Sequence, residues 1–290
     1  MLKNRLIACL VVKDGIAVQS INFKKYLPIG DVITAVEFLN YWGVDEIALL
    51  DIDATKQNRR PNFRLVEDIS KKCFVPLMVG GGIKSVVDIR QLIQSGADKV
   101  SINSAALRDP GLIKEASSVF GNQCIVASID AGLNSNGRYE VFLDSGNITT
   151  GRTPVETARQ LENLGAGEIF LNSIDRDGSK RGYDIDLIRM VSNSLKIPVI
   201  ACGGVGHPQH LVDGINLGLV SSVAAGNYFH FSEHSVIIAK SYMLSAGIDV
   251  RLDTYANYQG YSFNQDGRIN KKGDIDLEQL RFIHYPKEVI

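Results

Sequence analysis

Several kinds of segment are missing from this 290-residue chain. No apolar run approaches the ~18 residues that a membrane helix needs, and the start lacks the apolar stretch and small-residue cleavage site of a signal peptide. The four cysteines form no C-x-x-C pair, which favours buried thiols in a reducing compartment over a disulfide or zinc site. We therefore expect a cytoplasmic protein with no membrane contact, no metal and no other cofactor.

An excess of positive charge is missing as well. Lysine and arginine number 31 against 32 acidic residues, which gives a net charge of -1, and no block of basic residues stands out. A general nucleic-acid binder normally carries a basic surface, so no nucleic-acid partner is expected. P-loop, nucleophile-elbow and dinucleotide fingerprints are also absent. Any phosphate that the protein holds should therefore be held locally.

What the chain does contain is a series of short runs rich in Ile, Val and Leu, separated by amphipathic segments of helical length. This alternation is typical of βαβ units and a parallel sheet. Eight runs predict eight strands: Arg5–Val12, Glu46–Asp51, Val75–Val79, Lys99–Asn103, Cys124–Ile129, Glu168–Ser173, Pro198–Cys202 and Ser221–Ala225. The sequence thus predicts an α/β fold, a (β/α)8 TIM barrel over residues 1–252, followed by a C-terminal extension over 253–290.

The barrel is predicted to consist of two repeated half-barrels. The residues that recur at a constant offset of 122 are Gly43, Glu46, Ile47, Ile52, Asp53, Pro76, Gly81, Gly82 and Gly96, which return as Gly165, Glu168, Ile169, Ile174, Asp175, Pro198, Gly203, Gly204 and Gly218. A general likeness between βαβ units would explain the apolar runs, but not the matched glycines and acids. We therefore expect symmetric sites in the two halves.

Glycine-rich segments end two symmetric strands, at residues 80–82 and 203–204. Glycines at the carboxyl end of a strand let backbone N–H groups approach an anion, and the next helix adds its dipole. The neighbouring strands end in Asn103-Ser104 and Ala225-Gly226. Glycines that serve only as turns are the alternative. The paired loops favour two phosphate sites across the barrel mouth and a ligand phosphorylated at both ends.

These motifs, together with residues 8–15, 50–52 and 173–178, closely resemble the cyclase subunit of imidazole glycerol phosphate synthase over residues 1–252. The resemblance implies a barrel that takes a bis-phosphorylated ribulosyl aminoimidazole carboxamide and ammonia, which a glutaminase partner sends through the barrel from below. It also adds Asp177 and Gly178 to the phosphate-binding set. That set comprises Gly82, Asn103, Ser104, Asp177, Gly178, Gly203, Gly204, Ala225 and Gly226.

The chain departs from the family at two positions. Family members use two aspartates, on strands one and five, as general acid and base. Asp130 matches the second aspartate, but Val11 stands in place of the first. The internal repeat supports this alignment, because Ala8 to Val11 corresponds to Ala127 to Asp130. Asp14 lies about 10 Å further along an extended chain, on the opposite side. Gln19 replaces a lysine that helps the family's first loop close over the substrate.

The underside of the barrel is predicted to keep the family's ammonia route. Arg5, Glu46, Lys99 and Glu168 each begin a strand, and from sequence alone a stabilising ion-pair ring is the simpler interpretation. The resemblance matches the four to an ammonia gate, and Asp98 to an acid at the glutaminase interface.

Three functions are compatible with this combination. One is a paralogue that conducts ammonia for a separate sugar amidotransferase, as in divergent members from surface-polysaccharide pathways that convert an acetamido group to an acetamidino group. The second is an authentic cyclase subunit of histidine biosynthesis that tolerates Val11. The third is a non-catalytic scaffold.

The extension is rich in Tyr, Asn and Asp, and Asp266-Gly267 predicts a hairpin. A strapped-down or partly disordered appendage is one interpretation of it. A docking element for a partner is the other, because the extension carries many aromatic residues. These are Tyr255, Tyr258, Tyr261, Phe263, Phe282 and Tyr285.

Overall fold

The computed structural model describes residues 3–256, 258 and 260–278. Phe282 and Tyr285 lie outside the described residues. Eight parallel strands form a closed barrel: β1 Arg5–Lys13, β2 Glu46–Asp51, β3 Leu77–Gly80, β4 Lys99–Ile102, β5 Ile125–Leu133, β6 Glu168–Ser173, β7 Val199–Cys202 and β8 Ser222–Ala225. Each strand pairs with the next, and β8 pairs back with β1 through Ala225 and Ala8. The predicted TIM-barrel fold is confirmed.

An outer ring of helices covers the barrel. It consists of α1 Val32–Tyr41, α2 Phe63–Ser70, α3 Val86–Gln94, α4 Gly111–Phe120, α5 Pro154–Asn163, α6 Ile185–Ser192, α7 Pro208–Asn216 and α8 Ser235–Ser245. Most of these helices begin at residues whose side chains accept a backbone N–H of the first turn, such as Asp31, Ser85 and Thr153. Their apolar faces bury a continuous core against the strands.

Shorter elements fill the loops. At the barrel top, strands Ile16–Ile21 and Lys25–Gly30 follow β1, and strands Tyr139–Leu143 and Ile148–Thr149 follow β5. The remaining short helices and 3-10 turns are Ile52–Lys56, Ser104–Arg108, Asn122–Cys124, Ile174–Arg176, Asn227–Phe229 and Asp274–Glu278. None of the helices in the described part of the chain has both the length and the apolar character that a membrane crossing requires.

The two halves repeat in register as well as in sequence. β1 and β5 are both nine residues long, and both continue past the barrel into an antiparallel hairpin. Val11 pairs with Leu50 of β2, and Asp130 pairs with Asn172 of β6. Leu50 and Asn172 are themselves related by the offset of 122, so Val11 and Asp130 occupy equivalent positions.

Side chains that point into the barrel form layers, because alternate residues of a strand face the same side. The middle layers are apolar apart from two thiols: Ile7, Cys9, Ala48, Met78, Val126, Phe170, Ile200, Cys202 and Ala224 are all buried. Charged residues lie below this cluster and polar residues above it. The barrel interior is therefore a packed core with two chemically different ends.

The described part of the extension, up to Glu278, packs along the outside of the barrel. Just before it, Val250 bridges to Asn4, and within it the Tyr255 ring centroid lies 4.6 Å from that of Tyr41. Further along, Phe263 pairs with Ile269 in a short hairpin, the element predicted at Asp266-Gly267.

Candidate functional site

A cavity of about 1180 Å³, part of it open to solvent, occupies the mouth of the barrel. It is formed by the loops at the carboxyl ends of the strands, where TIM-barrel enzymes place their active sites. Its lining includes the following predicted residues: Val11, Asn103, Ser104, Asp130, Asp177, Gly178, Gly203, Gly204, Ala225 and Gly226. The structure thus brings together every residue of the predicted phosphate-binding set except Gly82.

The loop after β3 presents Gly80 and Gly81 to this mouth cavity. Gly82 lies behind them, and its N–H donates a 3.3 Å hydrogen bond to Thr55 Oγ1. A side chain at Gly81 would place its Cβ 2.2 Å from the Asp51 carbonyl oxygen, and φ there is +111°. The local backbone therefore requires glycine, and Gly81 is the more accessible residue for an anion.

The loops after β7 and β8 were predicted to form the second half-site. At Gly204 φ is +99°, and a Cβ would lie 2.2 Å from the Gly182 carbonyl oxygen. Part of the glycine pattern therefore serves the turn itself, as the alternative interpretation held. The same conformation leaves Gly203, Gly204 and Gly226 on the cavity surface without side chains, which permits a close approach by a phosphate.

Asp177 holds the hairpin after β1 in place. Its Oδ2 accepts a 2.6 Å hydrogen bond from the Ser20 hydroxyl and a 3.0 Å bond from the Phe23 N–H. Asn227 reinforces this contact through both atoms of its amide, which bond the Ser20 backbone. A carboxylate repels phosphate, so Asp177 acts through its hold on the hairpin, and Gly178 is the better anion contact of the two.

Asp130 lies at the centre of the polar layer. The residue is only 8% exposed, and Asn103 Nδ2 donates a 2.8 Å hydrogen bond to its Oδ2. Burial raises the pKa of Asp130 to about 6, although the hydrogen bonds from Asn103 and Asn172 oppose the rise. A carboxyl with such a pKa can gain or lose a proton near neutral pH, as a general acid or base must.

Asn172 was not predicted from the sequence. It lines the cavity beside Asp130, and its Oδ1 has no hydrogen-bond partner among the described residues. The alternation of β6 could have identified it. Glu168 points into the barrel, and every second residue after it, including Asn172, points the same way.

Among the described residues, no other carboxylate occupies the position of the missing one. Val11 lines the cavity, whereas the Asp14 side chain is 66% exposed and bonded to Lys13. Two other cavity acids are engaged by arginine, Asp51 by Arg59 and Asp144 by Arg108. Gln19 lies in the hairpin after β1, outside the cavity lining.

Two thiols lie directly beneath the polar layer. Cys9 of β1 and Cys202 of β7 are both buried and free, and both reach the cavity floor. The hydrogen bond with Cys9, together with burial, holds the pKa of the Cys202 thiol well above its usual range. Cys202 is therefore protonated at neutral pH and is a weak nucleophile.

The floor of the barrel is a closed ring of ion pairs. Arg5 contacts Glu46 at 2.8 Å and Glu168 at 2.9 Å. Lys99 contacts the same two acids at 2.9 Å and 3.3 Å. Each acid is thus bound by both cations, and the four side chains cover the entrance to the apolar interior.

Glu46 is the most deeply buried member of the ring. Its side chain is 2% exposed, and Oε1 has no hydrogen-bond partner among the described residues. Burial raises the pKa of Glu46, whereas Lys99 and Arg5 act in the opposite direction. The ring therefore contains an unused acceptor. Asp98, the predicted interface acid, is exposed on the same underside and binds the Leu77 N–H through Oδ2 at 2.8 Å.

Comparisons with known proteins agree with this architecture. The family model described as histidine biosynthesis protein matches residues 5–235. A Vibrio vulnificus (strain YJ016) protein, provisionally named imidazole glycerol phosphate synthase subunit hisF2, is 47% identical over 268 residues, which cover 92% of this chain and 98% of the relative. An alignment of that length exceeds the barrel, so it includes part of the extension. The chain therefore belongs to the histidine biosynthesis protein family, as a relative of the cyclase subunit of imidazole glycerol phosphate synthase.

Proposed function

We propose that this chain is the synthase subunit of a glutamine-dependent amidotransferase. It receives ammonia from a glutaminase at the barrel floor, binds a phosphorylated ligand at the mouth, and supplies ammonia to chemistry other than the family's ring closure. The proposed use is amidination of a surface-polysaccharide sugar by a separate amidotransferase. The observation that carries the proposal is Val11 in the catalytic position equivalent to Asp130, above a complete charged ring.

The floor supports an ammonia route. Ammonia is small and uncharged, so it can cross the apolar layer above the ring, whereas ammonium would lose its hydration there. The free Oε1 of Glu46 offers an acceptor to an N–H of ammonia at the entrance. Displacement of Lys99 from its two acids would open the ring. The exposed Asp98 beside the ring provides a charged contact for the glutaminase.

The mouth of the barrel supports ligand binding, but it has fewer groups for proton transfer than the family's cyclase subunit. Asp130 remains as an acid or base, but ring closure in the family requires two carboxyl groups that act on one substrate. Valine can neither donate nor accept a proton. The second candidate, an authentic cyclase subunit, is favoured by the name of the Vibrio relative and by the raised pKa of Asp130.

The test is to reconstitute the chain with a glutaminase and a sugar amidotransferase. The reaction contains amide-15N glutamine and excess unlabelled ammonium, and mass spectrometry measures 15N in the amidinated sugar. Channelled ammonia keeps the label, and Lys99→Ala changes the labelled yield several-fold while Lys72→Ala does not. A product that carries no more 15N than the bulk ammonium pool would contradict channelling. An unchanged labelled yield in Lys99→Ala would support the third function, a non-catalytic scaffold.

A further inference from the structure

The extension binds the barrel at His234, the residue that directly precedes α8. The Nδ1 atom of this ring lies 2.5 Å from the Tyr258 hydroxyl, and its Nε2 atom lies 2.9 Å from the Tyr255 hydroxyl. A hydroxyl can donate or accept a hydrogen bond, so both ring nitrogens are bonded in either tautomer of the imidazole. Two tyrosines of the extension thus bind one side chain of the barrel.

His234 also has an unusual backbone conformation. Its φ is +51° and its ψ is +27°, in the left-handed region that few residues other than glycine adopt. The Trp42 ring of the barrel lies edge-on to the imidazole at 6.2 Å, and the Tyr255 ring lies edge-on to it at 5.6 Å. Contacts with both the barrel and the extension therefore hold His234 in this conformation.

A short series of hydrogen bonds leads from His234 to the proposed second half-site. Ser235, the first residue of α8, donates from its hydroxyl to the Phe229 carbonyl oxygen at 3.2 Å. The Phe229 N–H donates to the Gly226 carbonyl oxygen at 3.0 Å. Ser235 and Phe229 are only 2% and 3% exposed, so water does not readily replace these bonds. The position of His234 is thereby linked to the loop that carries Gly226.

The hairpin of the extension makes a second contact, at the start of α7. Gly267 is buried with φ at +71°, and a Cβ there would lie 2.4 Å from Pro208 Cδ and 2.8 Å from His207 Nε2. The Phe263 ring packs edge-on against the Tyr242 ring of α8 at 5.1 Å. The hairpin thus lies directly against the residues that follow the loop after β7.

We propose that the extension is a brace that positions the second half-site, and that His234 is the positioning residue through which it acts on the loop after β8. Gly267 provides the corresponding contact for the loop after β7. The first half-site is formed by the loops after β3 and β4, so loss of the brace should weaken ligand binding on one side of the mouth only. The effect on the loops follows from these contacts, whereas the effect on affinity rests on the proposed function.

Hydrogen exchange of the full chain, followed by mass spectrometry, measures the two half-sites separately. Tyr258→Phe removes one hydroxyl and keeps the ring, so residues 226–231 should exchange about fivefold faster, as expected when a bond that holds a loop is lost. Residues 101–106 of the first half-site should exchange at the wild-type rate. Tyr261→Phe is the matched control, because this ring packs edge-on against Tyr258 and also loses only its hydroxyl.

Variants of His234 distinguish positioning from a general contribution to stability. His234→Ala loses both bonds to the extension, so the concentration of ribose 5-phosphate that protects residues 226–231 should rise at least about fivefold. The concentration that protects residues 101–106 should not change. His234→Asn keeps an amide near Tyr258 and tolerates the left-handed backbone, so it should restore most of the lost affinity. A side chain that only stabilised the fold would affect both half-sites alike.

Two glycine substitutions test the contact of the hairpin. Gly267→Ala adds a methyl group against Pro208, whereas Gly260→Ala adds one at a similar φ of +78°, with no described atom within 4 Å. Only Gly267→Ala should accelerate the exchange of residues 204–210, at least about fivefold, because the collision displaces the hairpin from α7. Equal exchange in the two variants would show that the hairpin does not hold this loop.

The outcomes separate this inference from the proposed function. If residues 226–231 exchange at the wild-type rate in both Tyr258→Phe and His234→Ala, the brace is wrong. It is also wrong if His234→Ala weakens both half-sites equally or neither. If ribose 5-phosphate protects neither half-site of the wild type, the proposed phosphate site at the mouth is wrong. The faster exchange of residues 226–231 in the two variants would then support the brace by itself.

Discussion

Asn103 Nδ2 donates a 2.8 Å hydrogen bond to Asp130 Oδ2, and Asn103 Oδ1 has no partner among the described residues. The two side chains therefore form a polar pair with one acceptor left for a ligand. Because burial raises the pKa of Asp130 to about 6, the folded chain binds this proton more strongly than the unfolded chain does. The ionised carboxyl thus costs stability at neutral pH.

The first prediction concerns this cost. Since the folded-state pKa lies above the unfolded value of 3.8, the contribution of Asp130 to stability should be highest below about pH 4 and decline up to about pH 6. Asp130→Asn should therefore raise the free energy of unfolding at pH 7.5 by up to about 3 kcal/mol, and much less at pH 4. Urea unfolding at the two pH values measures this. An equal or smaller gain at pH 7.5 would contradict the raised pKa.

The second prediction concerns the charged ring. Lys99→Ala leaves Glu46 and Glu168 with Arg5 as their only ring cation, so it should lower the free energy of unfolding by about 3 kcal/mol. Lys72→Ala removes an exposed ion pair with Glu37 and should cost less than about 1 kcal/mol. Chemical denaturation compares the two variants. Equal small effects would show that the ring contributes little to the fold.

The third prediction concerns the mouth. An aspartate at Ser104 or Gly226 would place a negative charge inside one of the two proposed phosphate half-sites and should weaken ribose 5-phosphate binding at least about tenfold. Ser118→Asp adds the same charge on the exposed surface of α4 and should have no measurable effect. Titration calorimetry provides the affinities. Binding that survives both mouth substitutions would place the phosphate elsewhere.

The fourth prediction concerns the hairpin over the mouth. Asp177→Ala removes the acceptor of the Ser20 hydroxyl and the Phe23 N–H. The amides of residues 16–30 should then exchange hydrogen at least about tenfold faster, as expected when bonds that close a loop are lost. Asp175→Ala is the control, because Asp175 lies on the same loop but binds the Leu133 N–H of the hairpin after β5. Unchanged exchange in residues 16–30 would mean that Asp177 does not hold the hairpin.

The sequence predicted the parts of the molecule that depend on local pattern. The strand runs and the repeat placed the barrel, whereas the roles expected of the ring and of Asp130 came from the family resemblance. The observed end of a strand differs from the predicted end where backbone pairing continues beyond the apolar run. β5 was predicted to end at Ile129, but it extends to Leu133 because its last residues pair with Tyr139–Leu143.

Contacts between distant segments were not predictable in this way. Asp177 bonds Ser20 across 157 positions of the chain, and no local pattern links the two. The hairpin of the extension was predicted from Asp266-Gly267, but its position against Pro208 depends on the shape of the assembled barrel. The cavity between the extension and the barrel top is therefore visible only in the folded chain.

A gain-of-function variant tests what the site lacks. Val11→Asp restores a carboxyl opposite Asp130, and Gln19→Lys restores a cation on the hairpin that covers the mouth. The double variant should acquire some cyclase activity if these are the main losses, whereas Val11→Leu with Gln19→Lys should not. Continued inactivity would show that the divergence extends beyond these two positions.

The most direct measurement is a cyclase assay of the purified wild-type chain. The family's ribulosyl aminoimidazole carboxamide substrate is supplied with a high concentration of ammonium chloride, and imidazole glycerol phosphate is quantified. With Val11 in place of the second carboxylate, the account predicts no product above the no-enzyme background. Robust turnover would contradict it and identify the chain as an authentic cyclase subunit.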